Sequence, residues 1–431
     1  MTVELARPGV SVRYVDAPDS EGTRRSRLDR LRAARSAGPL PAGSRGPVGG
    51  PVSDRAAKLA ADVGGVVVAT SERPIVVVCR SEPIEPELEG LRELPEPVDP
   101  SHPLILLDTE TTGLGTGTGT LPFLVGVGSW EGGLLVTRQL LLPEQSGEAG
   151  YLAVLAELIP PDACLVTYNG RSFDWPLLVT RFRLHGRAAP AHAAHLDLLP
   201  LARALWRHRL ADARLASVEI AICGVRRSHD LPAGLVPARY LDYLRSGHGG
   251  LLREVLEHNR QDVVSMALLL LVLARDLAPV SRTGRSPMAV HPGDLGGLGR
   301  AYARQRRHEE ALVCYDSAME RHVDASEAGR FEGIAVDRAR TLTRLGRRAE
   351  AEGAWHAIAL EGGPRAAHAW LHVAKHREHD ARDFRAALAA TERARALAER
   401  GRLFGRRDRL VERDLATRVP RLRRRLTGSA A

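Results

Sequence analysis

Four acidic residues stand where carboxylates can do chemistry together: Asp108, Glu110, Asp174 and Asp262. Asp108 and Glu110 are two apart at the end of the apolar run Leu104–Leu107, and the two-residue period of a strand puts both on one face. Two carboxylates on one face repel unless a cation sits between them, so the pair either costs stability or binds a metal ion. The loop that follows carries Gly113, Gly115, Gly117 and Gly119, a flexible backbone beside the pair. Asp174 lies in YNGRSFDWPLL, where a strand ending at Tyr168 turns at Asn169 and Gly170 into a helix. Phe173 and Trp175 flank it and can pack inward, aiming the acid at the edge of a sheet. Asp262 lies in LEHNRQDVVSMALLLL, whose buried stripe would be Leu256, Val263, Met266, Leu269 and Leu270. His258, four residues before Asp262, shares its helical face. An imidazole with an ordinary pKa of about 6.5 suits accepting a proton from water.

Singly, each of these residues has an ordinary structural reading. An Asp at a strand end or helix start is usually a cap, Glu110 before two threonines can solvate a loop, and a lone histidine usually packs. Structure alone accounts far less well for Asp-x-Glu, then Asn-x-x-x-Phe-Asp, then His-x-x-x-Asp in one chain.

The elements that must position these groups follow from the apolar pattern. Residues 1–60 are rich in Gly, Pro, Ser and Arg and read as a basic, disordered arm. Residues 61–100 read as a short strand pair, Val66–Val68 with Ile75–Cys79, and a Pro/Glu-rich connector. Strands are expected at Leu104–Leu107, Phe123–Gly128, Leu134–Leu142 and Ala163–Tyr168, with a helix at Leu152–Ile159 and helices filling most of 173–276. Strands first, then alternating helix and strand, give an α/β layer fold over 101–278. Residues 279–292 read as a linker. Beyond it, over 293–398, Leu298, Gly299, Tyr302, Ala311, Tyr315 and Ala318 recur forty residues on as Arg338, Ala339, Leu342, Ala351, Trp355 and Ile358. A looser third copy has Ala387, Thr391 and Ala394. Small residues alternating with large ones fit a helix–turn–helix array whose spacing resembles tetratricopeptide repeats, with a period stretched beyond ~34 residues; an unrelated helical bundle is the alternative. Residues 399–431 read as an Arg-rich helix or tail.

The motifs resemble those of the DEDD 3′–5′ exonuclease superfamily: LDTETTGL the first, YNGRSFDWPLL the second and HNRQDVVS the third. More narrowly, the chain is similar to bacterial predicted exonucleases with a C-terminal tetratricopeptide segment, which share GTGTGTLPFLVGVG, HLDLLPLARALW and the turn at Asp230–Pro232. The resemblance implies an α/β ribonuclease-H-like domain, with a mixed central sheet flanked by helices, followed by an all-α tetratricopeptide-like domain. It implies a two-metal phosphodiester hydrolase, a 3′–5′ exonuclease acting on DNA or RNA ends, in which Asp108, Glu110, Asp174 and Asp262 hold two Mg²⁺ or Mn²⁺ ions. His258 falls at the position of the general base. Three residues separate it from Asp262 where members with a histidine have four, and three is the spacing of the branch that carries tyrosine. Thr109, Asn169 and Arg171 are the candidates for holding substrate, and Asp197 reads as a helix cap that could support the site. The centre requires these acids to meet, with none buried against a neutralising arginine.

Composition bounds the rest. No apolar run approaches the ~18 residues of a membrane span, and Cys79, Cys164, Cys223 and Cys314 form neither a disulfide framework nor a metal-ligand pattern, so a cytoplasmic location is expected. Residues 1–60 hold 11 Lys/Arg against 6 Asp/Glu and residues 399–431 hold 11 against 4, so the basic excess sits at the ends, where it could touch a polyanion. With only 6 Phe, 5 Trp and 7 Tyr, an extended base-stacking groove is not expected; the repeats could take a protein partner along a concave face. The competing class is a catalytically silent scaffold that binds nucleic acid and recruits a partner.

Overall fold

The computed structural model describes residues 54–113, 115, 117–227, 231–283, 290–321, 328–405 and 407–428. Most of the arm expected over 1–60 lies outside them. Residues 54–60 correct that reading, because they open a helix, Asp54–Val63, that buries Ala56, Leu59, Ala60 and Val63 at helical spacing. The described chain forms two compact units, one reaching to Arg203 and resuming at Arg209–Ala278, the other made of Ala204–His208 and the chain from Pro279 onward.

The first unit is built on a seven-stranded sheet in the order β1-β2-β5-β4-β3-β6-β7. Its strands are β1 Val66–Val68, β2 Ile75–Glu82, β3 Leu104–Thr111, β4 Pro122–Glu131, β5 Leu134–Leu141, β6 Cys164–Thr167 and β7 Ala194–Asp197. The strand pair expected before residue 100 belongs to this sheet, since β2 pairs antiparallel with β5 from Val76 to Glu82. β3 is the switch point: it runs antiparallel to β4 and parallel to β6. Pairing with β6 ends at Leu106, so Asp108 and Glu110 project past the last β3–β6 partner, where open α/β sheets present reactive groups. β7 was expected as the start of a helix; Ala-His-Leu-Asp is too short to show a period, and only its pairing with β6 makes it a strand.

The helix Arg253–Val272 lies across β4, and two glycines set how closely it can pack. Any side chain at Gly126 would collide with Asn259, and one at Gly128 would collide with Val263. Asn259 and Val263 are four apart on the helix, Gly126 and Gly128 two apart on the strand, so the two periods bring two knobs over two holes. β4 thereby gives up side chains that would pack on this face and gains contact with a helix carrying chemistry-bearing residues.

The second unit is all helical. Pro292–Arg304, His308–Met319, Ala328–Arg344, Arg348–Glu361, Ala366–His379, Phe384–Leu403 and Arg409–Gly428 each pack on the next. Apart from the half-buried Arg338, the small and large positions matched in the sequence are buried; Gly299 faces the Tyr315 ring at a distance no side chain could share. Of the expected linker, residues 284–289 lie outside the described set and Val280–Thr283 is a helical turn. The last helix is no tail: Val411, Leu415 and Leu422 are buried, and Arg418 is turned inward onto the buried Glu378. Among the described residues no helix is long and apolar enough to cross a membrane.

Overpacking a closed core costs about 1–3 kcal/mol. Gly126→Ala, which pushes Asn259 off β4, is expected to lower stability by that amount in urea unfolding, while Gly250→Ala, in open space with an ordinary φ, perturbs no such packing. Equal losses in the two variants would show that the helix does not rest in the Gly126 slot.

Candidate metal centre

Asp108 on β3, Gly126 on β4 and Gln139 on β5 are direct cross-strand partners and so share one face of the sheet. The missing side chain at Gly126 leaves room for the fully buried Asn259 between the other two. Asn259 Oδ1 accepts from Gln139 Nε2 at 2.9 Å, and Asn259 Nδ2 donates to Asp108 Oδ2 at 2.8 Å. Gln139 Nε2 also donates to the Leu256 carbonyl at 2.6 Å. A glutamine anchored to the helix backbone thus orients an asparagine, and the asparagine orients the first acid.

Asp108 is half-buried near the end of β3. Its carboxyl is held well above the usual carboxylate range, first by burial and then by the charges of Asp262, Glu110 and Asp174, with the Asn259 amide opposing. Asp174, in the first turn of the helix Asp174–Leu184, is pushed up to about 6 by burial, against the bond from Thr109 Oγ1 at 2.5 Å. The four acids expected to meet therefore do stand within one another's fields. His258 joins them, its Nε2 lying 3.9 Å from Glu110 Oε1 and 3.7 Å from Asp262 Oδ2.

One sequence requirement fails. Arg227, its side chain only 7% exposed, donates from Nη2 to Asp262 Oδ1, so one of the four acids, itself half-buried, lies against a neutralising arginine. The same guanidinium grips Glu219 through Nε at 2.6 Å and Nη2 at 3.0 Å, and Ser265 donates to that fully buried carboxylate. Arg227 Nη1 also lies 3.3 Å from His258 Nδ1. A guanidinium only donates, so Nδ1 accepts and the neutral ring carries its hydrogen on Nε2. His258 therefore presents an N–H toward Glu110 and Asp262, where a general base would present a lone pair. One cation is thus set against five carboxylates: Asp108, Glu110, Asp174, Asp262 and Glu219.

The candidate substrate-holding residues sit at the turn before Asp174. Asn169 adopts a left-handed φ of 70°, which asparagine tolerates. Its N–H donates to Asp197 Oδ1 at 2.8 Å, the Arg171 N–H donates to Asp197 Oδ2 at 3.1 Å, and Leu199 N–H caps onto Oδ1 at 3.0 Å. Asp197 is the helix cap expected and also the clamp on this turn. The Arg171 guanidinium reaches Glu96 at 2.9 Å and the His195 carbonyl, and the Thr109 hydroxyl is committed to Asp174. Residues 228–230 lie outside the described set, and with them part of the Asp230–Pro232 turn.

Three residues central to this geometry were missed in the sequence. Asn259 stood inside the third motif beside His258, but its role depends on the slot at Gly126. Gln139 and Arg227 lie in segments without a chemical pattern, and only strand register and folding bring them to Asp108 and Asp262.

The fold is that of a ribonuclease-H-like domain. Residues 105–274 match the family model described as RNase_H superfamily, whose members are generally nucleases. The chain is also 28% identical over 295 residues to the Bacillus subtilis (strain 168) protein named "Uncharacterized protein YprB", a match covering 68% of each chain.

The raised acids give a signed pH dependence. Asp174 moves from an ordinary 3.8 to about 6 on folding, so its contribution is fully present below about pH 4 and is lost as pH rises through about 6. In chelator-treated protein, Asp174→Asn, which keeps an acceptor for Thr109, is expected to melt several degrees above wild type at pH 7, with the gap closing toward pH 4. A gap that widens toward acid would reverse the sign assigned here.

Proposed function

We propose that this protein is a metal-dependent phosphodiester hydrolase, a 3′–5′ exonuclease that shortens DNA or RNA ends. The observation that carries the reading is Asp108: a half-buried carboxylate whose strongest charged neighbours are three more carboxylates. Such a group is poorly placed for packing alone and well placed for a divalent cation. The donors are oxygens, which suit Mg²⁺ or Mn²⁺. Asp108, Glu110, Asp174 and Asp262 would hold two ions, which when bound activate the attacking water and stabilise the leaving oxygen of an in-line displacement.

The chain's own residues set the stage for that reaction. Asn259 fixes Asp108, Thr109 fixes Asp174, and Arg227 fixes Asp262. His258, with its hydrogen on Nε2, would steer an oxygen between Glu110 and Asp262 by donating to it. The Asn169–Arg171 turn, clamped by Asp197, would present its exposed arginine to the phosphate backbone once the contact with Glu96 is exchanged. In this reading the helical unit is a tetratricopeptide-like array. The 3′–5′ direction rests on the resemblance of the three motifs to the DEDD superfamily.

One observation favours a second reading, a silent nucleic-acid-binding scaffold: the Arg227 guanidinium on Asp262. Its weight is limited because Arg227 shares one charge between Asp262 and Glu219, leaving the centre with a large negative surplus. A pure binder of phosphate has no use for that surplus.

End-labelled single strands of DNA and RNA, incubated with the full chain and Mn²⁺ or Mg²⁺, are expected to shorten stepwise from the 3′ end. Circular single strands should survive. Asp108→Asn should lower the rate by ~10³-fold or more, since it removes a charge at the ions. Binding of the strands with no cleavage under either metal would establish the scaffold reading instead.

A further inference from the structure

The second unit holds a group of ligating side chains separate from the carboxylates of the sheet. His208 closes the 204–208 segment, His291 is the N-cap of the helix Pro292–Arg304, and Asp294 lies in that helix's first turn. One ligand atom from each lies within 4.8 Å of the others, and this is the one such trio of His, Cys, Asp or Glu groups among the described residues. His208 Nε2 is 3.2 Å from His291 Nδ1 and 3.3 Å from Asp294 Oδ1. Asp294 is buried, with 3% of its surface exposed.

Hydrogen bonding settles where the ring hydrogens are. His208 Nδ1 lies 2.9 Å from the Leu205 carbonyl, which only accepts, so this nitrogen carries a hydrogen. His291 Nδ1 accepts from the Gly293 N–H at 3.0 Å, so it carries none. A neutral His208 then turns the lone pair of Nε2 toward the lone pair of His291 and toward a carboxylate. Three ligand atoms thus gather about one point, a donor set that suits a cation. A second hydrogen on His208, shared between Asp294 and His291, would be another answer, and it predicts no tetrahedral cobalt spectrum. A tetrahedral ion with bonds of about 2.0–2.1 Å places its ligands about 3.3 Å apart. The separations fit the ion.

We propose that His208, His291 and Asp294 form a transition-metal site, of the zinc class, in the helical unit. Two imidazoles and one carboxylate select zinc-like ions over magnesium, so the site differs in metal from the all-oxygen centre of the sheet domain. Three protein ligands leave a coordination position for water. The ion takes over the His291 lone pair now shared with the Gly293 N–H and ties residues 83 apart in sequence. Closing so long a loop makes the site a structural clip. Two glycines permit the approach: a side chain at Gly293 would strike the His208 ring, and one at Gly297 the Ala204 carbonyl.

The test is a titration of chelator-stripped full-length protein with Co²⁺, followed by Zn²⁺. One Co²⁺ per chain is expected to give the visible absorption of tetrahedral cobalt, to be displaced by Zn²⁺, and Zn²⁺ is expected to raise the thermal midpoint. His208→Gln and Asp294→Asn should each weaken binding by more than about 100-fold, the upper range for losing even an outer-shell partner, while Asp108→Asn should leave the cobalt spectrum unchanged. His208→Cys keeps a ligand at this position, so it should retain the ion and add an intense sulfur-to-cobalt band in the near ultraviolet. That variant decides the matter if His208→Gln fails to fold. No visible cobalt spectrum in wild type, full binding in Asp294→Asn, no sulfur band in His208→Cys, or loss of the ion in Asp108→Asn would each overturn the proposal. None of these outcomes depends on whether the sheet domain cleaves nucleic acid.

Discussion

The arrangement of the sheet domain depends on a side chain that is absent. Gly126 stands between Asp108 and Gln139 in one cross-strand row, and Asn259 fills the space over it. A carboxylate drawn partly out of water, as Asp108 is, needs hydrogen-bond donors, because an ionised group taken from water without them costs several kcal/mol. Asn259 supplies one such donor without supplying charge. An arginine there would satisfy Asp108 more fully and would neutralise the centre. A neutral amide holds the acid in place and leaves its charge available, and the slot at Gly126 admits it.

Charge is managed differently at the two ends of the cluster. Asp108 and Asp174 are held by an amide and a hydroxyl, and both remain hard to ionise, first because they are buried and then, for Asp108, because Asp262, Glu110 and Asp174 stand around it. At the other end Glu219, fully buried and bonded to Ser265, anchors Arg227, and Arg227 reaches Asp262. The guanidinium does not cancel the cluster; it stops the Asp262 end from moving outward under repulsion. The remaining strain is a stability cost in the metal-free protein, and the same quantity favours a divalent cation. Local destabilisation of this kind is expected where a sequence is shaped by a site as well as by a core.

Much of this was legible before folding. The apolar run before Asp108 and the two-residue period placed Asp108 and Glu110 on one face, and helical spacing placed His258 with Asp262. Those are local properties, set within a few residues. The helical character of the second unit was equally local, visible in alternating small and large residues. What could not be read depends on register or on tertiary contact. Asn259 is unremarkable until β3, β4 and β5 align Asp108, Gly126 and Gln139. β7 is four residues long and owes its conformation to β6. Arg227, after Gly224 and beside Arg226, looked like one more surface cation in a chain rich in arginine. Residues 54–60 were absorbed into the basic arm by composition, although Ala56, Leu59, Ala60 and Val63 already had helical spacing.

The shortened interval between His258 and Asp262 acquires a physical meaning from Arg227. With three residues between them the two groups sit one turn apart on the same helical face, close enough for one guanidinium to touch both. Arg227 therefore couples two properties of the site: it holds Asp262, and it fixes the ring hydrogen of His258 on Nε2. In this state the imidazole can donate to an oxygen beside Glu110 and Asp262 but has no lone pair there with which to take a proton. A base role for His258 thus begins with the Arg227 contact broken, and breaking it also returns the full charge of Asp262 to the cluster. The orientation of the imidazole and the position of Asp262 are tied together because the same guanidinium touches both.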